Sequence, residues 1–182
     1  MTSSPHDLLF MTHYLGGRSI PEARQAQELD HMASLDDVRG ALRRYVDDFR
    51  KSGLEPLRIS EAYDLFPDAA PATLECGRRW PESYENPLCA GVYVVFDRVG
   101  QVIYVGKSSM NSSLSARLSS YFAFAPDRRC RIQNGGPWTA ENQPRFVMNI
   151  AVPDSMRWEA PALEEYLIGE LNPPLNTLGR TT

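Results

Sequence analysis

Seven polar side chains carry the chemistry this chain could do: Tyr93, Tyr104, Lys107, Arg117, Tyr121, Glu164 and Asn176. Tyr93 and Tyr104 fall in two β-rich runs, so both can face one way at a shared hairpin end, with Lys107 just past the second run. Arg117 and Tyr121, four apart on a helical stretch, share a face. Glu164 lies in the last helix, whose apolar face is better served by Leu163, Leu167 and Leu171. Such a set suits the cutting of a phosphodiester, which needs a positioned water, positive charge where the phosphorane develops, and usually a hard divalent cation. Glu164 offers one hard oxygen ligand, and with phosphate and water oxygens one carboxylate can hold a single Mg²⁺ or Mn²⁺ ion. Arg117 can fork onto the phosphate. Tyrosine is a poor base at its free pKa of about 10, but the Lys107 ammonium and a bound cation would lower the cost of a phenolate.

Each residue alone has an ordinary explanation. Tyrosines are common in strands, an Arg or Glu on a helix is usually a solvated surface residue, and an Asn after a helix is a turn residue. The combination is what points to a site. A rival reading of the same stretch, GQVIYVGKSS over residues 100–109, is a nucleotide-binding phosphate loop ending in Gly-Lys-Ser. That motif needs four residues between its first Gly and the Gly-Lys pair, and here Gln101 to Val105 make five. Val102, Ile103, Tyr104 and Val105 are also β-branched or aromatic, which is strand composition. The stretch is a strand ending in a Gly-Lys corner.

The elements that must position these groups follow from periodicity. Residues 91–96 and 101–105 are β-rich runs separated by Asp97-Arg98-Val99-Gly100, a hairpin pattern. Residues 113–122 fit a helix with Leu114, Leu118 and Phe122 on one face. Residues 146–152 fit a third strand, and 159–171 a final helix closed by Asn172-Pro173-Pro174. Strand, strand, helix, strand, helix describes a small α+β domain with a three-stranded sheet flanked by helices, at residues 89–182. Upstream, Ser34 to Asp37 resembles a capping box and starts an amphipathic helix through Phe49, ended by Ser52-Gly53. Residues 24–32, entered through Pro21, and 59–66 fit shorter helices. Residues 1–88 therefore read as a mainly helical N-terminal region, closed by an irregular connector holding Pro67, Pro71, Pro81 and Pro87.

Composition bounds the rest. With 182 residues, 42% hydrophobic and 23% charged, the chain can bury a core as one domain plus an extension. No apolar run approaches the roughly 20 residues of a membrane span, and the short Leu8-Leu9-Phe10-Met11 patch after Asp7 argues against a signal peptide, so a cytoplasmic protein is expected. Cys76, Cys89 and Cys130 are too few and too widely spaced for a disulfide framework or a zinc knuckle. His6, His13 and His31 have no metal-ligand pattern around them. Net charge is −4, but residues 1–88 hold 10 basic against 15 acidic side chains, while residues 89–182 hold 9 against 8. The second half is the one that tolerates a polyanion; the first suggests contact with a protein partner or a second copy at least as much as with nucleic acid.

The motifs extend to a family. Gly91-Val92-Tyr93 and Tyr104-Val105-Gly106 resemble the paired tripeptides of the GIY-YIG nuclease superfamily. Lys107, Leu114 and the run Arg117-Leu118-Ser119-Ser120-Tyr121-Phe122 are similar to its UvrC-type nuclease domain, as are Glu164, Leu167-Ile168, Pro173 and Asn176 downstream. The resemblance covers residues 89–177, and residues 1–88 lie outside it. It implies that Tyr93 and Tyr104 position or deprotonate the attacking water, with Lys107 tuning a tyrosine or sharing the base role. Arg117 then stabilises the transition state, Tyr121 bonds phosphate or water, Glu164 holds the metal, and Asn176 orders the site from behind. Val replaces Ile in both tripeptides, and the stretch between Ser108 and Ser113 is longer than the family's short form.

The implied protein is a divalent-metal-dependent endonuclease acting on nucleic acid, expected to be DNA. A non-catalytic nucleic-acid-binding or assembly module is the alternative, to be favoured had Glu164 or Arg117 been lost. Residues 123–144 form a long loop carrying Arg128, Arg129, Arg131 and Trp138, side chains suited to phosphate contact and base stacking, so these are the expected substrate-binding residues.

Overall fold

The hairpin at the centre of the fold pairs β4 (Gly91–Phe96) with β5 (Val102–Ser108), Tyr93 lying opposite Gly106 and Val95 opposite Tyr104. The computed structural model describes residues 32–109 and 111–177. Every residue of β4 is buried, because the strand is covered on both faces: Val92, Val94 and Phe96 enter one apolar cluster, Tyr93 and Val95 the other. The first cluster lies under α1 (Leu35–Phe49) and α3 (Glu159–Leu171), through Val38, Leu42 and Tyr45 of α1 and Leu163, Leu167 and Leu171 of α3. The second lies under α2 (Leu114–Ser119) and a ribbon of β6 (Phe122–Phe124) and β7 (Cys130–Ile132).

α1 starts where the sequence places it. The Ser34 side chain accepts from the Asp37 backbone N–H, and the Asp37 carboxylate accepts from the Ser34 N–H at 2.8 Å. Its C-terminus is tied down by Arg50, whose guanidinium pairs at 2.7 Å with Glu159 in the first turn of α3, both side chains buried. The carboxylate there also meets the positive end of the α3 dipole.

The sheet is larger than the three strands expected. β1 (Arg58–Ile59), β2 (Ala62–Asp64) and β3 (Cys76–Arg79) join β4, β5 and β8 (Phe146–Ala151), giving six strands in the order β3-β2-β8-β4-β5, with β1 also on β8. Residues 59–66 are therefore not the helix their spacing suggested. Tyr63 and Leu65 alternate into the second cluster, and the backbone completes the far edge of β8: Ser60 N–H donates to the Asn149 carbonyl at 2.8 Å and Leu65 N–H to that of Arg145 at 3.0 Å. Asp64 fixes the register through a two-pronged buried pair with Arg145, at 2.9 and 3.0 Å. A helix here would leave that row of β8 groups unpaired.

Among the described residues before 89 there is thus one helix and three strands rather than a mainly helical region, and the described residues from 32 to 177 belong to one unit. The helix expected over 24–32 falls, but for its last residue, outside the described residues, as do all three histidines. The helix expected over 113–122 stops at Ser119, and Phe122 opens β6; the 123–144 stretch holds β7 as well as irregular chain. Among the described residues no helix is long and apolar enough to cross a membrane.

Candidate active site

Five structural elements bring the seven residues to one end of the hairpin. Tyr93 comes from β4, Tyr104 and Lys107 from β5, Arg117 from α2 with Tyr121 just beyond it, Glu164 from α3, and Asn176 from the chain after α3. The rings of Tyr104 and Tyr121 lie 6.2 and 6.3 Å from that of Tyr93, and the Arg117 guanidinium sits 5.1 Å over the Tyr121 ring. The Lys107 ammonium forms an ion pair with the Glu164 carboxylate. A cleft of about 340 Å³ opens among Tyr104, Lys107, Glu164, Glu165 and Asn176.

Both tripeptide glycines have a spatial reason. A Cβ on Gly106 would lie 2.6 Å from Cζ of Tyr93 and 2.8 Å from Cε1 of Tyr104, so the missing side chain is what lets the Tyr93 ring cross its partner strand. At Gly91 a Cβ would strike the β8 backbone, 2.9 Å from Cα of Ala151. The replacement of Ile by Val between these glycines and tyrosines is absorbed inside the apolar clusters, where Val92 and Val105 are buried.

Asn176 is held by the end of α3. Asn172 takes a left-handed conformation (φ 45°) and returns its N–H to Ile168, and the two prolines that follow cannot continue the helix. The chain then runs beside β5, the strand at one end of the sheet. Leu175 N–H donates to the Ile103 carbonyl at 3.1 Å, and the Asn176 amide takes both backbone groups of Val105: its oxygen accepts at 2.9 Å and its nitrogen donates at 2.8 Å. The side chain completes the edge of β5 at the residue between Tyr104 and Gly106.

The tyrosines sit in surroundings that oppose ionisation. Burial, then the neighbouring Tyr104 and Tyr121, raise Tyr93 well above the ordinary phenol range. Burial, then Tyr121 and Glu164, push Tyr104 up to about 12, against the lowering influence of Arg117. The easing of a phenolate by Lys107 expected from sequence is not what the geometry provides, because the ammonium is committed to Glu164. The buried Tyr93 hydroxyl lies against the Arg117 guanidinium and Tyr121, and hydrogen bonding to that hydroxyl is the first cause that raises the pKa of Arg117.

The four substrate-binding candidates divide. Trp138 belongs to the site but is no open stacking platform: its indole packs edge-on against Tyr104 at 5.7 Å and Tyr121 at 5.5 Å, and stacks on Phe122 at 5.8 Å. Gly136 makes room for it, since a Cβ there would come within 2.6 Å of Trp138 Cδ1, and Pro137 lines the cleft. The turn Gly135-Gly136-Pro137 leads the chain into this position. Arg128, Arg129 and Arg131 instead lie on the β6–β7 ribbon, where Arg128 and Arg129 line a separate cleft of about 520 Å³ beside Trp80.

No group of three or more His, Cys, Asp or Glu side chains among the described residues could form an all-protein metal cage. Glu164 does fit the simpler case, a hard oxygen ligand facing a cleft, where a divalent cation would keep water and phosphate oxygens for its remaining positions.

Comparison with known proteins agrees with the geometry. Residues 89–177 match the family described as the UvrC-like GIY-YIG domain. The chain is 38% identical over 94 residues to the UvrABC system protein C of Synechococcus sp. strain JA-3-3Ab, and 34% identical over 101 residues to that of Aliarcobacter butzleri strain RM4018. Each match takes in 52% of this chain but only 14% and 15% of the relative's length. No solved structure matches significantly.

Proposed function

From the premise that residues 89–177 form a GIY-YIG domain resembling that of UvrC, we propose that the protein is an endonuclease that hydrolyses phosphodiester bonds in DNA with the help of one divalent cation. The observation that supports this most is the meeting of Tyr104, Lys107, Glu164 and Asn176, from separate elements, around one cleft, with Tyr93, Tyr121 and Arg117 clustered against Tyr104.

The residues divide the work. Glu164 would hold the cation, with Mg²⁺ or Mn²⁺ as the hard ions suited to one carboxylate. When bound, that ion supplies Lewis-acid stabilisation of the charge that develops on phosphate oxygen. Arg117, exposed at the end of α2, forks onto the scissile phosphate from the other side. Tyr93 and Tyr104, neutral in these surroundings, hold the attacking water by hydrogen bonds to their oxygens and give it one direction of approach. Tyr121 contacts phosphate, and Trp138 fixes the Tyr104 and Tyr121 rings so that neither swings away. Lys107, paired with Glu164 at the cleft, puts an ammonium beside the place the phosphate oxygens would take.

The test is incubation of the full chain with supercoiled plasmid, linear duplex, branched DNA and RNA, each with Mg²⁺ or EDTA. Metal-dependent scission of at least one DNA is expected. Binding to DNA with no scission of any substrate would favour the non-catalytic module.

A further inference from the structure

α2 has two working sides. Arg117 projects toward the tyrosines, while Ser115 and Ser119, four apart and so on another face of the helix, line a cleft of about 370 Å³. Aromatic side chains flank that cleft on both sides, Trp80 beside Pro81 on one and Phe122 and Phe124 of the ribbon on the other. Phe124 is 55% exposed yet lies 4.6 Å from the Trp80 ring, and Trp80 donates its indole N–H to the Arg128 carbonyl at 2.7 Å. The same ribbon carries Arg128, Arg129 and Arg131 at or near its turn, all exposed. Arg129 has acidic neighbours in Asp68 and Asp127, at 3.4 and 3.8 Å, but all three side chains are at least 60% exposed, so these pairs are weak and readily exchanged for phosphate.

Resting on the nuclease reading, we propose that this cleft is a subsite for an unpaired nucleobase of the substrate, so that the enzyme selects DNA that is distorted or single-stranded next to the cut. Three features meet there. An exposed aromatic ring backed by a second one offers a stacking surface that any base can use. Three arginines on the ribbon supply sequence-independent attraction for the backbone of the same strand. The separation also fits: one helix, about 10–12 Å across with its side chains, stands between the cleft and the scissile centre, the span of a few nucleotides. A paired base cannot enter, because its stacking faces are covered within the duplex; an extruded or bulged one can. The hydroxyls of Ser83, Ser115 and Ser119 and the carboxylate of Glu82 are among the polar groups of the lining that can meet a base edge.

The experiment is fluorescence anisotropy of the full chain, in EDTA to prevent scission, with three labelled duplexes: fully paired, carrying a single-nucleotide bulge, and carrying the same bulge without its base. The bulged duplex is expected to bind best, and removal of the base or the substitution Phe124→Ala to weaken it about tenfold, as expected for one stacked base, leaving the paired duplex unchanged. Ser119→Phe, which fills the cleft from an exposed helix position, should give the same selective loss. Equal binding of all three duplexes, or equal losses on paired and bulged DNA in Phe124→Ala, would overturn the subsite while leaving the nuclease reading intact. Base-dependent binding without scission of any substrate in Mg²⁺ would uphold the subsite and overturn the nuclease reading.

Discussion

At the residue scale, Gly106 shows how one missing side chain organises the site. It lies opposite Tyr93, and the Tyr93 ring occupies the space a Cβ would take. Gly106→Ala is expected to force that ring aside, at about 1–3 kcal/mol of overpacking cost, and to lower scission far more than the melting temperature alone would explain. Parallel thermal melts and cleavage assays check this; an active variant would mean that Tyr93 need not be where it is found. That the seven polar residues meet at one end of the hairpin was legible in the sequence, because motif and spacing place them. Their partners were not, since the pairing of Lys107 with Glu164 rather than with a tyrosine depends on which helix face meets the strand end. Trp138 likewise read as a stacking side chain, and only packing shows it already stacked on Phe122.

At the scale of elements, the edge of β5 depends on a side chain. Asn176 satisfies both backbone groups of Val105 from a buried position, so Asn176→Ala would orphan a donor and an acceptor. A loss of about 1–3 kcal/mol is expected in urea melts, with scission lost through displacement of Tyr104 and Gly106 on either side. Full stability in that variant would remove Asn176 from its structural role. The long elements were visible beforehand: α1 from its capping box and apolar stripe, α3 from its leucine spacing and Pro-Pro stop, β4 and β5 from β-branched runs. The short ones were not. In residues 59–66, Ile59, Tyr63 and Phe66 suit a helix while Tyr63 and Leu65 suit a strand, and the open edge of β8, more than eighty residues away in sequence, decides between them.

At the scale of the whole molecule, the segment upstream of the GIY-YIG match is built into the same sheet and core. α1 covers Val92 and Phe96, β1 and β2 close the edge of β8, and Arg50 and Asp64 anchor buried ion pairs to Glu159 and Arg145. Residues 89–182 expressed alone are therefore expected to lack a cooperative thermal transition that the full chain shows in calorimetry; equal cooperativity would make the upstream segment an accessory. That dependence was hidden in the sequence because the family resemblance stops at residue 89, whereas pairing across β8 does not. We propose that this assembly aims Glu164 at a cation and a scissile phosphate. Glu164→Ala leaves Lys107 partly exposed and able to be solvated, so its melting should stay within about 1 kcal/mol of the parent. The most direct measurement is the rate of DNA scission in Mg²⁺ for the parent, the parent in EDTA, and Glu164→Ala. A loss of at least about a hundredfold in both of the latter, with the fold intact, is the expected result; scission that survives both chelation and the substitution would contradict the account.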